Sequence, residues 1–167
     1  VAHLRAGMPA LLRQVYWASF SNPCSNVFKP FYLNGPKIPA NYGAGTSTYS
    51  GDSPWWLANR VKLLCDLNHN ALAPAIRGVF DLTERSAMER QNRLEAEARK
   101  LIEAGREAEA VKRLQEFIDG NCARADKEYK MFNQTLPAML ETAGIEFLYT
   151  GYVRTWTSTH GVPLPLP

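Results

Sequence analysis

The stretch Gln14-Val15-Tyr16-Trp17-Ala18-Ser19-Phe20-Ser21-Asn22-Pro23-Cys24-Ser25-Asn26-Val27-Phe28-Lys29-Pro30 decides how the chain is read. Its first seven residues predict a strand, because aromatic and β-branched side chains fit a pleated, half-buried surface. Ser21-Asn22-Pro23-Cys24 predicts a turn, where Asn bonds to nearby backbone and Pro fixes φ. Residues 25–29 predict a short returning strand, which Pro30 ends because it has no N–H to give a ladder. Two strands alone are marginal in water. This hairpin therefore needs a further layer, and little else in the sequence reads as strand.

Downstream, residues 34–53 form a loop rich in Gly, Pro, Ser and Thr. Gly43-Ala44-Gly45-Thr46-Ser47-Thr48 looks like a phosphate loop only on its surface, since it lacks the Gly-Lys-Ser/Thr that sets a lysine on phosphate oxygens. Ser53-Pro54-Trp55-Trp56 predicts a helix start, with Ser53 as N-cap and Pro54 at the first helical position. Leu57, Val61, Leu64 and Cys65 then share a face. Pro74 is expected to break the region, with a short helix over 75–80.

From Asp81 the pattern is plainly helical, with Asp81 and Glu84 in a capping arrangement. Leu94, Ala98, Leu101 and Ile102 follow at helical spacing, and Gly105 marks a break. Val111, Ile118, Ala125, Phe132 and Met139 recur every seven residues, beside Cys122, Tyr129 and Leu136. Two long helices packed as an antiparallel hairpin are the simplest way to bury that seam. Gly120 should cost its helix about 1 kcal/mol relative to Ala. Pro137 should kink the last turns, and Gly144 should cap them. Glu109 with Arg113 fits an i,i+4 pair on the solvated face. Beyond Ile145, the runs Phe147-Leu148-Tyr149 and Tyr152-Val153-Arg154-Thr155-Trp156-Thr157 suggest a strand or an extended tail.

The 167 residues suffice for one domain. With 46% hydrophobic and 21% charged residues, disorder is excluded as the general state. A net charge of +3 gives no argument for a nucleic-acid partner, and no apolar run is long enough to span a membrane. Three cysteines (Cys24, Cys65, Cys122) make no disulfide framework and favour a reducing, cytoplasmic compartment. No CxxC or HxxxH suggests a metal site, and Cys65 with His69 supplies only two ligands. Cys24, at its turn, is the candidate nucleophile by residue type. His3 and His160 reach it only through tertiary folding, and such a thiol needs a base or a cation beside it. Trp17, Asn22, Trp55 and Trp56 are the candidate substrate-pocket residues.

Several motifs together resemble one family. Val15 to Tyr32 (Val15-Tyr16-Trp17-Ala18-Ser19-Phe20 through Lys29-Pro30-Phe31-Tyr32) is similar to the late strand pair of secernin-like dipeptidases, cysteine hydrolases of the N-terminal nucleophile superfamily. Ser53-Pro54-Trp55-Trp56 with Arg60 is similar to the aromatic helix start that follows there. Leu114-Gln115-Glu116-Phe117-Ile118, leading to Tyr129, resembles the family's last long helix. The likeness runs from about His3 to about Thr142. It places the chain at the C-terminal end of longer proteins whose nucleophile is a Cys exposed as the mature N-terminal residue. Val1 is not that Cys, so no catalytic residue is carried over, and this polypeptide alone is expected to be inactive.

The resemblance implies an α+β chain, mostly helical, that forms the C-terminal part of a four-layer αββα sandwich. Residues 1–33 would give it a strand pair. Residues 34–82 would be loop and short helices, 83–144 the long helical hairpin, and 145–167 an extended tail. The implied activity is hydrolysis of short peptides or other linear amides, with no cofactor and no metal. The implied partners are the N-terminal remainder of the same protein and, through the hairpin, a second copy in a homo-oligomer. A different class of reading is a non-enzymatic helical interaction module. An upstream Cys in a strand-forming run discriminates the two.

Overall fold

Pro30, expected to end a strand, lies inside one. A computed structural model describes residues 1–145 and 150–164. It contains β1 (Ala2–Leu4), β2 (Gln14–Ala18) and β3 (Lys29–Tyr32), paired antiparallel in that order. The register sets Tyr16 opposite Phe31 and Trp17 opposite Pro30. The proline is tolerated because β3 is an edge strand, where a missing N–H breaks no outer ladder. The returning strand therefore begins at Lys29, not at Ser25. Residues Pro23–Ser25 form a 3-10 turn instead, with Asn22 Oδ1 accepting from Ser25 N at 3.1 Å. The Phe28 N–H is taken by Glu84 Oε1 at 3.0 Å, not by a neighbouring strand.

β1 is a third strand, absent from the sequence-based expectation because three exposed residues carry no burial pattern. It is held by reciprocal bonds between Val1 and Trp17, both 2.8 Å. After it come α1 (Ala10–Arg13), α2 (Ala40–Gly43) and α3 (Pro54–Leu67). Ser53 caps α3 through Trp56 N, and Leu57, Val61, Leu64 and Cys65 are buried, as the spacing predicts.

α4 (His69–Glu103) runs through Pro74 without a break and starts well before residue 83. Asn68 supplies the cap, accepting from Ala71 N at 3.1 Å. Its side chain also donates to the carbonyls of Ala143 and Gly144, which ties the start of α4 to the end of α5 (Glu107–Ala143). Burial of Leu72, Ile76 and Phe80 offsets the one helical bond that Pro74 cannot make. Asp81 and Glu84 are consequently mid-helix residues, and both pair with Arg77.

The break at Gly105 is present, with φ +73°. The α4–α5 pair is antiparallel: Phe80 packs on Tyr129 and Phe132, Thr83 bonds Glu128, and Arg90 bonds Asn121. Contacts that climb one helix descend the other. Ile118, Ala125, Phe132, Cys122, Tyr129 and Leu136 are buried along this seam. Glu109 pairs with Arg106 at 2.6 Å, and Arg113 turns to Glu116. Pro137 frees the carbonyl of Asn133, four residues earlier. Arg60 takes it at 2.8 Å, along with Asn133 Oδ1 at 2.9 Å. α5 serves two cores, one with α3 and the start of α4, the other beneath β2 and β3.

α6 (Thr150–His160) replaces the expected strand or extended tail over Tyr152–Thr157. Trp156 and His160 stack at 4.7 Å and both meet Trp56. A helix brings residues four apart together, whereas a strand would separate them by about 13 Å. Phe147, Leu148, Tyr149 and the final Pro165-Leu166-Pro167 lie outside the described residues.

Candidate functional site

The candidate residues from sequence do not converge. Cys24 is exposed in the 3-10 turn, and no hydrogen bond joins it to a histidine among the described residues. His160 is engaged with Ser47 O at 3.1 Å and with the Trp56 and Trp156 rings, and His3 lies on β1. Asn22 is spent on its cap. Trp17 belongs to the core under the sheet, and Trp56 to the core between α3 and α5, its Nε1 donating to Thr46 Oγ1 at 2.8 Å. Trp55 alone of the four lines an open depression.

That depression adjoins a smaller, more enclosed cavity, and the two together form the candidate site. The cavity measures about 180 Å³. Its floor is the outward face of the sheet, where the register aligns Tyr16 with Phe31 and Ala18 with Lys29. Phe20, Leu33, Ile38 and Tyr42 complete the wall. Phe20 and Tyr42, whose rings lie 5.1 Å apart, also form one side of the adjoining groove of about 370 Å³. The backbone of Gly43-Ala44-Gly45-Thr46 and the Trp55 indole form the other side.

Lys29 is the one charged residue among the described residues lining the cavity and is only 3% exposed. Its ammonium donates to Val27 O at 3.1 Å and to Tyr129 Oη at 3.3 Å. Rings of Phe20, Tyr42 and Tyr129 surround it at 5.0–5.6 Å, a cation–π cage. Burial pushes its pKa down to about 8, although the carboxylates of Asp126 and Glu84 favour the charge. Asp126 is itself occupied, accepting from Tyr42 Oη at 2.8 Å and from Asn41 at 3.3 Å. Burial raises Asp126, and those bonds only partly offset it.

The groove is positioned by links between the sheet and the hairpin. Gln115 accepts from Lys37 N at 2.7 Å and donates to Lys37 O at 3.0 Å, so one side chain pairs with the loop as a strand would. Gly35, at φ +90°, lets the loop pass where a Cβ would sit 2.7 Å from Leu11. Arg77 donates to the carbonyls of Pro23 and Asn26 and fixes the turn against α4. Glu95 accepts from Arg5, Tyr32 and Gln91 and anchors β3.

Chemically, the described residues offer binding groups more readily than a nucleophile. Cys65 Sγ lies 3.6 Å from His69 Nδ1, but burial pushes the thiol up to about 12. Burial does the same to Cys122. Both remain thiols at neutral pH, and the thiolate is the reactive form. The sequence reading passed over Lys29, Tyr42 and Asp126. The available signal was a cation inside the apolar run Val27-Phe28-Lys29-Pro30-Phe31-Tyr32, with no acidic residue near it in sequence.

The sheet, the groove and α3 lie together in the part of the chain that is similar to known peptidases. Residues 1–81 match the sequence model described as Peptidase family C69. That match relates the chain to the C69 peptidases over the sheet, the loop, α3 and the first turns of α4. No curated protein and no solved structure matches the chain.

Proposed function

We propose that this chain is the C-terminal portion of a secernin-like dipeptidase that works by a cysteine N-terminal nucleophile lying outside residues 1–167. The match of residues 1–81 to peptidase family C69 carries this reading. The two sheet edges support it. β3 is buried and carries Pro30, so that edge is closed to a further strand. β1 is exposed along its whole length. Such a strand spends ordering entropy for almost no burial, which a neighbouring strand would repay. The parent fold is then an αββα sandwich continued from β1, with the α4–α5 hairpin on the outside.

In this mechanism the thiolate of the terminal Cys attacks the amide carbonyl carbon. Its own α-amine, with an ordinary pKa near ~8, accepts the thiol proton and passes it to the leaving amine. Donors around the oxyanion stabilise the tetrahedral state. Water then hydrolyses the thioester and restores the thiol.

The test is the intact gene product. Its mature N-terminal residue, determined by mass spectrometry, should be Cys. It should hydrolyse dipeptides, and replacing that Cys with Ala should abolish turnover. A gene product that starts at Val1, or that cleaves dipeptides equally well without the Cys, removes the proposal.

A further inference from the structure

The cavity over the sheet's outer face has a chemistry of its own. Lys29 is a buried cation with no ion-pair partner among the described residues. A buried charge is ordinarily paired, because desolvating it alone is costly. Its ammonium has three hydrogens and two hydrogen-bond acceptors, Val27 O and Tyr129 Oη. Tyr129 in turn donates to Asn26 Oδ1 at 3.0 Å, while Asn26 Nδ2 is buried without a partner among the described residues. Donors therefore exceed acceptors along this chain. Asp126, one of the carboxylates that act on Lys29 electrostatically, is committed to Tyr42 and Asn41.

We propose that the cavity formed by Tyr16, Phe20, Lys29, Phe31, Ile38 and Tyr42 binds a small apolar carboxylic acid, its carboxylate on the Lys29 ammonium and its side chain against the rings. About 180 Å³ is roughly six times a water molecule's share of the liquid, enough for one branched or aromatic side chain and too little for a whole peptide. The groove past Phe20 and Tyr42 continues the path and presents the backbone of residues 43–46. An extended peptide entering by its C-terminal residue fits both compartments. The peptide identity of the ligand rests on the peptidase reading, whereas the acid site rests on the cavity alone.

Isothermal titration calorimetry of the 167-residue chain with N-acetyl-leucine and N-acetyl-leucinamide separates the two. The acid should bind at least tenfold more tightly than the amide, and Lys29→Met should erase that preference. Ile38 is 61% exposed at the rim, so Ile38→Asp keeps the fold and places a negative charge at the entrance. It should weaken the acid at least fivefold more than it weakens the amide. Equal affinities for acid and amide, no binding of either, or an acid preference that survives both substitutions overturns the site. Failure here with an active gene product discards the acid site and keeps the peptidase. Acid binding in a gene product that cleaves nothing does the reverse.

Discussion

The sheet half and the hairpin half of this molecule are held by different physics. In residues 1–67 short elements are fixed by side chains acting on loop backbone: Asn22 on Ser25, Arg77 on Pro23 and Asn26, Gln115 on Lys37, Trp56 on Thr46. Along α4 and α5 a repeating apolar seam does the work, with Thr83, Gln91, Asn121 and Asn133 buried beside it and ion pairs such as Arg106–Glu109 and Arg113–Glu116 left exposed. The irregular half is also the half that matches a peptidase family and contains the groove. Regular packing builds a scaffold, and irregular, individually bonded backbone builds a shaped surface on it.

The largest expected effect lies where the halves meet. Glu95 on α4 joins Arg5, Tyr32 of β3 and Gln91. Glu95→Ala leaves Tyr32 without its acceptor and Arg5 with only the Leu12 carbonyl, and should cost roughly 3 kcal/mol in urea unfolding. Burial pushes the Glu95 carboxyl up, but the bonds from Arg5, Tyr32 and Gln91 together hold it below its usual value. A lowered folded pKa means stability that is present above the ordinary carboxylate range and lost as pH falls through the folded value. The variant should therefore show a shallower acid-side loss than the parent. Identical acid limbs would mean that the two halves are not joined at Glu95.

Lys29 gives the same sign of slope from the opposite cause, because here the fold disfavours the charged form. Its pKa is about 8 in the fold, below the ordinary lysine value, so the unfolded chain binds more protons between the two. Stability should rise with pH across that interval, by up to about 3 kcal/mol. Lys29→Met should remove that rise, read as the difference between urea melts at pH 7.5 and pH 10. An equal rise in the variant assigns the effect to another group.

The smallest effects contrast a glycine from each half. Gly120 is inside α5 with open space where a Cβ would go, so Gly120→Ala should stabilise by up to about 1 kcal/mol. Gly35→Ala meets both a positive φ and Leu11 and should destabilise by roughly 1–2 kcal/mol. Matching signs in thermal melts would blur the distinction between the halves.

Legibility in the sequence follows the same division. The seven-residue spacing located α5 and its buried seam from Ile118 to Phe132, while the end residues Val111 and Met139 are only half-buried. Ser53-Pro54 located the start of α3, and Gly105 the turn, through local backbone chemistry. Pro74 misled, since the bonds of Asn68 to the end of α5 and the burial of Ile76 and Phe80 are tertiary terms that outweigh one lost helical bond. Pro30 misled for a similar reason: that it sits on an edge is a property of the sheet, not of the residue. The strand-pair motif pointed to peptidases, and the family match agrees at that level. The groove was not legible, because Lys29, Tyr42 and Asp126 are brought together from β3, α2 and α5.

The most direct test of the account is whether β1 has a neighbour outside this chain. Bonds from β1 to β2 use the odd-numbered residues, so the alternation of an antiparallel ladder turns the Ala2 and Leu4 amides toward the free edge. Hydrogen exchange at those two amides should be fast in the 167-residue chain and slowed at least a hundredfold in the intact gene product. Equally fast exchange in both would contradict a sheet that continues beyond β1.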